Sequence, residues 1–237
     1  LPIGKGQKIL LMQEQFPSNY YIWEQVALEQ GAQIVIIPAP TASNRGDAWT
    51  EQVLRSIDSE TAVVAMAHVH WADGSVFDLK RVGEKARKMG AALVIDGTQS
   101  VGALPFDVQE IQPDALICAG YKWLLGPYSI GVAYYGPALD RGHPIEENWI
   151  NRLDSHNFQK LVEYQPDYKP FAARYAVGEQ SNFINVPMLL AAIRQILNWG
   201  VENIQAYCNH ISEEAINEIV SMGAQIDTSS LRAARPA

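Results

Sequence analysis

Over its first 135 residues this chain alternates apolar runs of strand length with stretches of helical periodicity. The apolar runs are 8–12, 33–37, 62–67, 92–95, 115–118 and 130–135. Each is short, almost continuous in apolar residues and flanked by turn formers, which predicts strands buried on both faces. The stretches between them predict helices. One spans 20–30 and stops at Gly31. One spans 48–57 behind Asp47, an N-cap candidate. One spans 79–89, between the N-cap candidate Asp78 and Gly90. Strands alternating with helices imply an α/β fold with a mainly parallel sheet covered by helices.

The texture changes after Gly136. Residues 137–175 are rich in Pro, Asn, Asp, His and aromatic side chains and carry no clear period. Irregular segments of that length usually serve function or cover a partner. A helix is predicted over 187–199, ending at Gly200, and a longer one over 201–220. In the second, Ile204, Tyr207, Cys208, Ile211, Ala215, Ile216, Ile219 and Val220 fall on one side, predicting one buried face. Residues 224–226 look strand-like, and 229–237 are unperiodic. The opening without Met and this last tract give the expectation of a chain truncated at both ends. The expected organisation is a large domain over 1–200 and the beginning of a small C-terminal domain over 201–237.

Composition narrows the partners. The 237 residues carry a formal charge of -8 and a pI of about 5.1, which argues against a nucleic-acid surface or an anionic membrane. The apolar runs are too short to span a bilayer, and no signal peptide is recognisable. With only Cys118 and Cys208, a disulfide scaffold is not expected and a reducing cytoplasm is. Cys118, inside a predicted strand, and Cys208, on the apolar side of a predicted helix, both read as core. The five histidines show no metal-ligand spacing, so no metal site is expected.

The chemistry concentrates in two segments. Asp96-Gly97-Thr98-Gln99 follows the strand at 92–95, and Tyr121-Lys122 follows the strand at 115–118. In parallel sheets ligands bind beyond the carboxyl ends of the strands, so neighbouring strand ends bring Asp96 and Lys122 together. A carboxylate, an amide and an amine are what pyridoxal phosphate requires. The carboxylate keeps the pyridine nitrogen protonated, the amide binds the phenolic oxygen and the amine forms a Schiff base. Tyr121, Trp123, Leu124 and Leu125 surround Lys122 in sequence, and apolar company tends to lower an amine's pKa. Alone, Asp96 before Gly97 would read as a turn former, and Lys122 as a surface lysine.

The chain resembles class V aminotransferases, in the cysteine desulfurase and kynureninase-like branch of fold-type I pyridoxal-phosphate enzymes. The similarity is carried by Asp-x-x-Gln-x-x-Gly at Asp96, Gln99 and Gly102, and by Tyr-Lys-x-x-x-Gly-Pro at Tyr121, Lys122, Gly126 and Pro127. Three further segments add to it: 14–19, 68–74 and 177–182. The resemblance implies a homodimer acting on an amino acid by transamination or by C–S/β-elimination chemistry. It implies Lys122 as the aldimine lysine and proton shuttle, Asp96 as the pyridinium partner, and Gln99 as the donor to the phenolic oxygen. Phe16 falls at the ring-stacking position and Tyr121 at a phosphate-binding one. His70 and Trp71 lie in the segment that approaches the ring, and Ser181 and Asn182 in a loop that reaches the partner's phosphate.

The chain also departs from the family pattern. Phe16 replaces the histidine of typical desulfurases, and no mobile-loop cysteine is evident. No phosphate-cradling turn precedes the strand at 8–12, and Arg174 and Arg194 are unassigned candidates for binding a substrate carboxylate. The competing expectation is a truncated, non-catalytic remnant that keeps the dimer surface and binds cofactor poorly.

Overall fold

The structure, a computed structural model, describes residues 1–226. The unperiodic tract at 229–237 lies outside the described residues. Six strands form one sheet: β1 (Lys8–Met12), β2 (Gln33–Ile37), β3 (Thr61–Ala67), β4 (Ala92–Asp96), β5 (Ala115–Ala119) and β6 (Gly131–Tyr135). The order is β2-β1-β3-β4-β5-β6. All neighbours pair in parallel except β5 and β6, which run antiparallel with Ala115 opposite Tyr135 and Ala119 opposite Gly131. The α/β class and the mainly parallel sheet are as expected.

Six α-helices are interspersed: α1 (Pro17–Gln30), α2 (Arg45–Ser56), α3 (Leu79–Met89), α4 (Val108–Ile111), α5 (Asn185–Trp199) and α6 (Val201–Ser221). Asp78 caps α3 by accepting the Arg81 N–H, and Gly90 ends that helix in the left-handed region. Asp47, expected as a cap, is not one. The chain has already turned helical at Arg45, after Asn44, so Asp47 lies in the first turn, where its charge suits the helix dipole. The short α4 escaped the pattern because four residues make little more than one turn. Asp107 caps it through the N–H groups of Gln109 and Glu110.

Alternation along the strands builds two cores. Leu10, Met12, Val64, Met66, Leu93 and Ile95 meet Trp49 and Val53 of α2, Val82 and Ala86 of α3, and Leu189 and Ile196 of α5. Ile9, Leu11, Val63 and Ala65 meet Ala27 of α1, with Tyr20, Trp23 and Val26 beside it. The second face is the thinner layer, and toward β5 it opens: Ile117 is 44% exposed.

Two expectations for the C-terminal stretch fail. Helix α6 forms where the period places it but buries none of its residues. Tyr207, Ile211, Ile219 and Val220 are exposed, and Cys208 is half-buried rather than core. The helix reaches the core only through Val201 and Ile204 near its start. Residues 224–226 form no strand; the Ala224 N–H returns to the Ile219 carbonyl and finishes the helix end. No helix among the described residues is long and apolar enough to cross a membrane.

Candidate active site

A cavity of about 580 Å³ opens on the face that α1 only partly covers, at the carboxyl ends of β3, β4 and β5. Its size lies in the range of roughly 300–1,000 Å³ typical of small-molecule sites. Phe16, His70, Trp71, Asp96, Gln99, Tyr121 and Lys122 all line it. Segments far apart in sequence converge there because the sheet order puts β4 between β3 and β5.

Asp96 is the last residue of β4, paired with Ala67 of β3 and Ile117 of β5. Both its carboxylate oxygens are held. The Thr98 N–H donates to Oδ1 at 2.9 Å, and the Asn19 Nδ2 donates to Oδ2 at 2.6 Å. The two donors, one from each side, fix the direction of the carboxylate. Asn19 escaped a role at the sequence level. It belongs to α1, 77 residues away, and only the packing of α1 brings it to Asp96. Next to Asp96, Gly97 is required by space. A Cβ there would stand 2.7 Å from Leu116 Cδ1 and 2.8 Å from Cys118 Sγ.

Lys122 sits in a tight loop closed by the Gly126 N–H donating to the Gly120 carbonyl at 2.8 Å. This loop and the Asp96 loop are packed backbone to backbone. Gly102, at φ +102, leaves room for the Trp123 carbonyl, which a Cβ would approach to 2.4 Å. Of the apolar neighbours of Lys122, Leu124 is buried, Tyr121 lines the cavity beside it, and Trp123 and Leu125 are exposed. Tyr121 stacks on Tyr128, ring centres 4.3 Å apart and nearly parallel.

The opposite wall is aromatic. Phe16 immediately precedes α1, and Pro17 at the first helical position holds it extended. Its ring meets Trp71 edge to face at 5.6 Å. Trp71 Nε1 donates to the Glu14 carbonyl at 2.7 Å, and Glu14 takes the left-handed conformation at φ +55. For a residue with a side chain that costs on the order of 1–2 kcal/mol and persists only where contacts hold it. Ala65, Ala67 and Ala119, also in the lining, keep the strand ends low enough for a flat ring.

Other candidates lie elsewhere. Ser181 and Asn182 are exposed outside the cavity. Asn182 Oδ1 accepts the Ile184 N–H at 3.2 Å and the Asn185 N–H at 2.8 Å, in the turn that leads into α5. Arg174 donates to the Gly142 carbonyl and Arg194 lies on α5; neither lines the cavity. Cys118 does line it but is buried, and burial first, then the charge of Asp96, pushes its thiol up to about 12. It stays a thiol at neutral pH, a poor nucleophile. Among the described residues no group of three or more His, Cys, Asp or Glu could hold a metal ion.

The family model described as aminotransferase class-V matches residues 1–230. The chain belongs to this family. A cysteine desulfurase of Synechococcus elongatus is 29% identical over 206 residues, covering 86% of this chain and 31% of that protein. An uncharacterized aminotransferase of Bacillus subtilis is 28% identical over 212 residues, covering 89% and 53%. The chain thus spans 31% and 53% of the length of these two relatives. Among solved structures, the cystine C–S lyase C-DES with cysteine persulfide superposes with a TM-score of 0.78 at 24% identity, covering 88% of this chain and 55% of that one. C-DES with glycine covalently linked to its PLP cofactor gives 0.77 at 24%, covering 89% and 55%. At that identity the likeness establishes the fold alone: the chain has the sheet and helix arrangement of C-DES.

Proposed function

We propose that this chain is the cofactor-binding part of a pyridoxal-phosphate enzyme that acts on an amino acid, by transamination or by C–S/β-elimination chemistry. The observation that carries this reading is one cavity that gathers an oriented carboxylate, an amide, an amine and an aromatic wall. The residues fit the group: small alanines leave room for a planar ring, and the Asp96 carboxyl is aimed by two donors. Membership of the class V family supports the same cofactor.

When bound, pyridoxal phosphate supplies an electron sink for the pair left at a substrate α carbon. The chain's own residues do the rest. The Lys122 amine would hold the cofactor and would take the substrate's α proton at Nζ. Asp96 keeps a proton on the ring nitrogen, and Asn19 and Thr98 keep Asp96 in place for it. Gln99 donates to the phenolic oxygen. Phe16 and Trp71 would cover one face of the ring and exclude water. Tyr121 serves the phosphate. Ser181 and Asn182, outside the cavity of their own chain, serve the partner's phosphate in a homodimer. The division near residue 200 into a large domain and the start of a small one, and a cytoplasmic location, belong to the same proposal.

Exchange of an amino acid's α proton with solvent deuterium is shared by all these reactions and tests the reading. With added pyridoxal phosphate the chain should catalyse it. Asp96→Asn should still bind cofactor yet lose about 10²–10³ in exchange rate. An unchanged rate in Asp96→Asn would overturn the assignment.

A further inference from the structure

His70 lines the cavity, yet its ring is turned into the protein; the residue is 2% exposed. Nε2 lies 3.1 Å from the Gln13 carbonyl, which can only accept, so Nε2 carries the hydrogen and donates. On the other side Nδ1 stands 3.2 Å from Asp73 Oδ1 without forming a hydrogen bond. Asp73 is anchored in turn: its Oδ2 pairs with Arg45 Nε at 2.7 Å, and its Oδ1 accepts the Ser75 N–H at 2.9 Å. The Trp49 ring, 5.0 Å from the imidazole, fills the remaining side.

The next residue repeats the pattern. Trp71 donates to the carbonyl of Glu14, the residue after Gln13. Two consecutive ring N–H groups therefore grip two consecutive carbonyls across the cavity wall. The gripped segment holds the left-handed Glu14 and leads directly to Phe16. Other restraints act around the clamp: the Gln13 N–H donates to the Ile37 carbonyl at 2.9 Å and Gln13 Oε1 accepts the Ala39 N–H, while the Gln15 N–H reaches the Met12 carbonyl at 3.3 Å and Gln15 Nε2 the Ala65 carbonyl at 3.4 Å; none of these engages the Gln13 or Glu14 carbonyl.

We propose that His70 is a positioning residue. Together with the Trp71 indole it clamps residues 13–14 and thereby sets the angle at which the Phe16 ring faces the cavity. The part of this that concerns a bound ring rests on the cofactor reading above. The His70 imidazole is held through Nε2 by the Gln13 carbonyl and turned away from the cavity. The Trp71 indole does two things, donating to Glu14 and packing against Phe16.

Three variants separate the clamp from general packing. His70→Gln keeps an N–H donor at the place of Nε2, His70→Ala removes it, and Trp71→Phe removes only the second donor from a half-exposed ring. Two readouts are taken on the whole chain. The first, without cofactor, is amide hydrogen exchange in peptides covering residues 13–19 and 70–76. The second is affinity for pyridoxal phosphate, with the visible circular dichroism per bound molecule.

His70→Ala should exchange at least tenfold faster at 13–16 while peptides from β3 and β4 keep their protection. It should bind cofactor about tenfold more weakly, with a reduced dichroic band. Trp71→Phe should change both in the same direction by a smaller factor, and His70→Gln should return both towards wild type. Unchanged exchange at 13–16 in His70→Ala overturns the clamp. So does fast exchange with wild-type affinity and dichroism, and so does a failure of His70→Gln to rescue. If the wild-type chain bound no cofactor, the cofactor reading would fall, and the exchange results would still decide whether residues 13–14 are clamped.

Discussion

From Lys8 to Tyr135 the chain buries its aliphatic side chains on both faces of a sheet; beyond Gly136 only Leu189 and Ile196 are buried among them in the described residues. The two regions also spend their polar groups differently. In the first, the backbone is consumed by strand pairing, and loops at the strand ends are locked by close approaches such as Gly102 to the Trp123 carbonyl. In the second, three short 3-10 turns at Pro137–Leu139, Phe158–Lys160 and Phe171–Tyr175 are tied by side chains reaching backbone atoms. Glu146 accepts the Gly178 N–H at 2.7 Å, Arg174 donates to the Gly142 carbonyl, and Tyr175 donates to the Leu139 carbonyl. Catalytic geometry needs positions held to a fraction of an ångström, and only the first region supplies that by packing. Lys122 and Asp96 belong to it; Ser181 and Asn182 do not.

The sharpest way to break this contrast is at Gly102. A methyl group there meets a backbone oxygen at 2.4 Å, in a conformation L side chains avoid. Overpacking and backbone strain together predict a loss of about 3–5 kcal/mol for Gly102→Ala. For a chain of this size that lowers the melting temperature by on the order of 10 °C. A shift of a degree or two would mean that the two loops are not rigidly packed.

The next effect is set by pH. His68, at the end of β3, is 8% exposed, packs its ring on Phe106, and burial lowers its pKa to about 4 from an ordinary 6.5. The folded form binds this proton less readily than the unfolded chain. The contribution is therefore complete above pH 6.5 and is lost as the pH falls towards 4. A shift of that size corresponds to about 3 kcal/mol. Denaturant melts between pH 7 and 4 should show the decline, and His68→Leu should flatten it. Asp73 does not interfere in this window. Its own burial, which would raise its pKa, is outweighed by hydrogen bonds from Ser75 and by the charges of His70 and Arg45, so it titrates lower still.

The smallest effect belongs to the second region. Ile211 on α6 is 59% exposed, so Ile211→Ser should change the stability of the isolated chain by less than about 0.5 kcal/mol. A loss of 2 kcal/mol or more, read by the same melts, would show that this face is covered in solution.

The same contrast explains what could be read in advance. All six strands lie where the apolar runs placed them, to within one or two residues; the expected burial on both faces is met in full by β3 and largely by β1, but not by the edge strands β2 and β6, which are mostly half-buried or exposed. The strand ends then brought Asp96, Gln99, Tyr121 and Lys122 to one cavity. The direction of β6 was not legible, since an apolar run looks the same whichever way it pairs. The exposure of α6 was not legible either: the spacing of Ile204, Ile211 and Ile219 records that a helix has an apolar side, not what lies against it. Asn19 and the surroundings of His70 depend on contacts 77 and 57 residues away, which no local pattern encodes.

The central claim is that the amine at the end of β5 is the reactive group of the cavity. Borohydride reduction of the chain incubated with pyridoxal phosphate, followed by peptide mapping, tests it directly. The pyridoxyl group should be found on Lys122, with labelling suppressed in Lys122→Arg. A label spread over surface lysines such as Lys80 or Lys160, with Lys122 unmodified, would contradict the account.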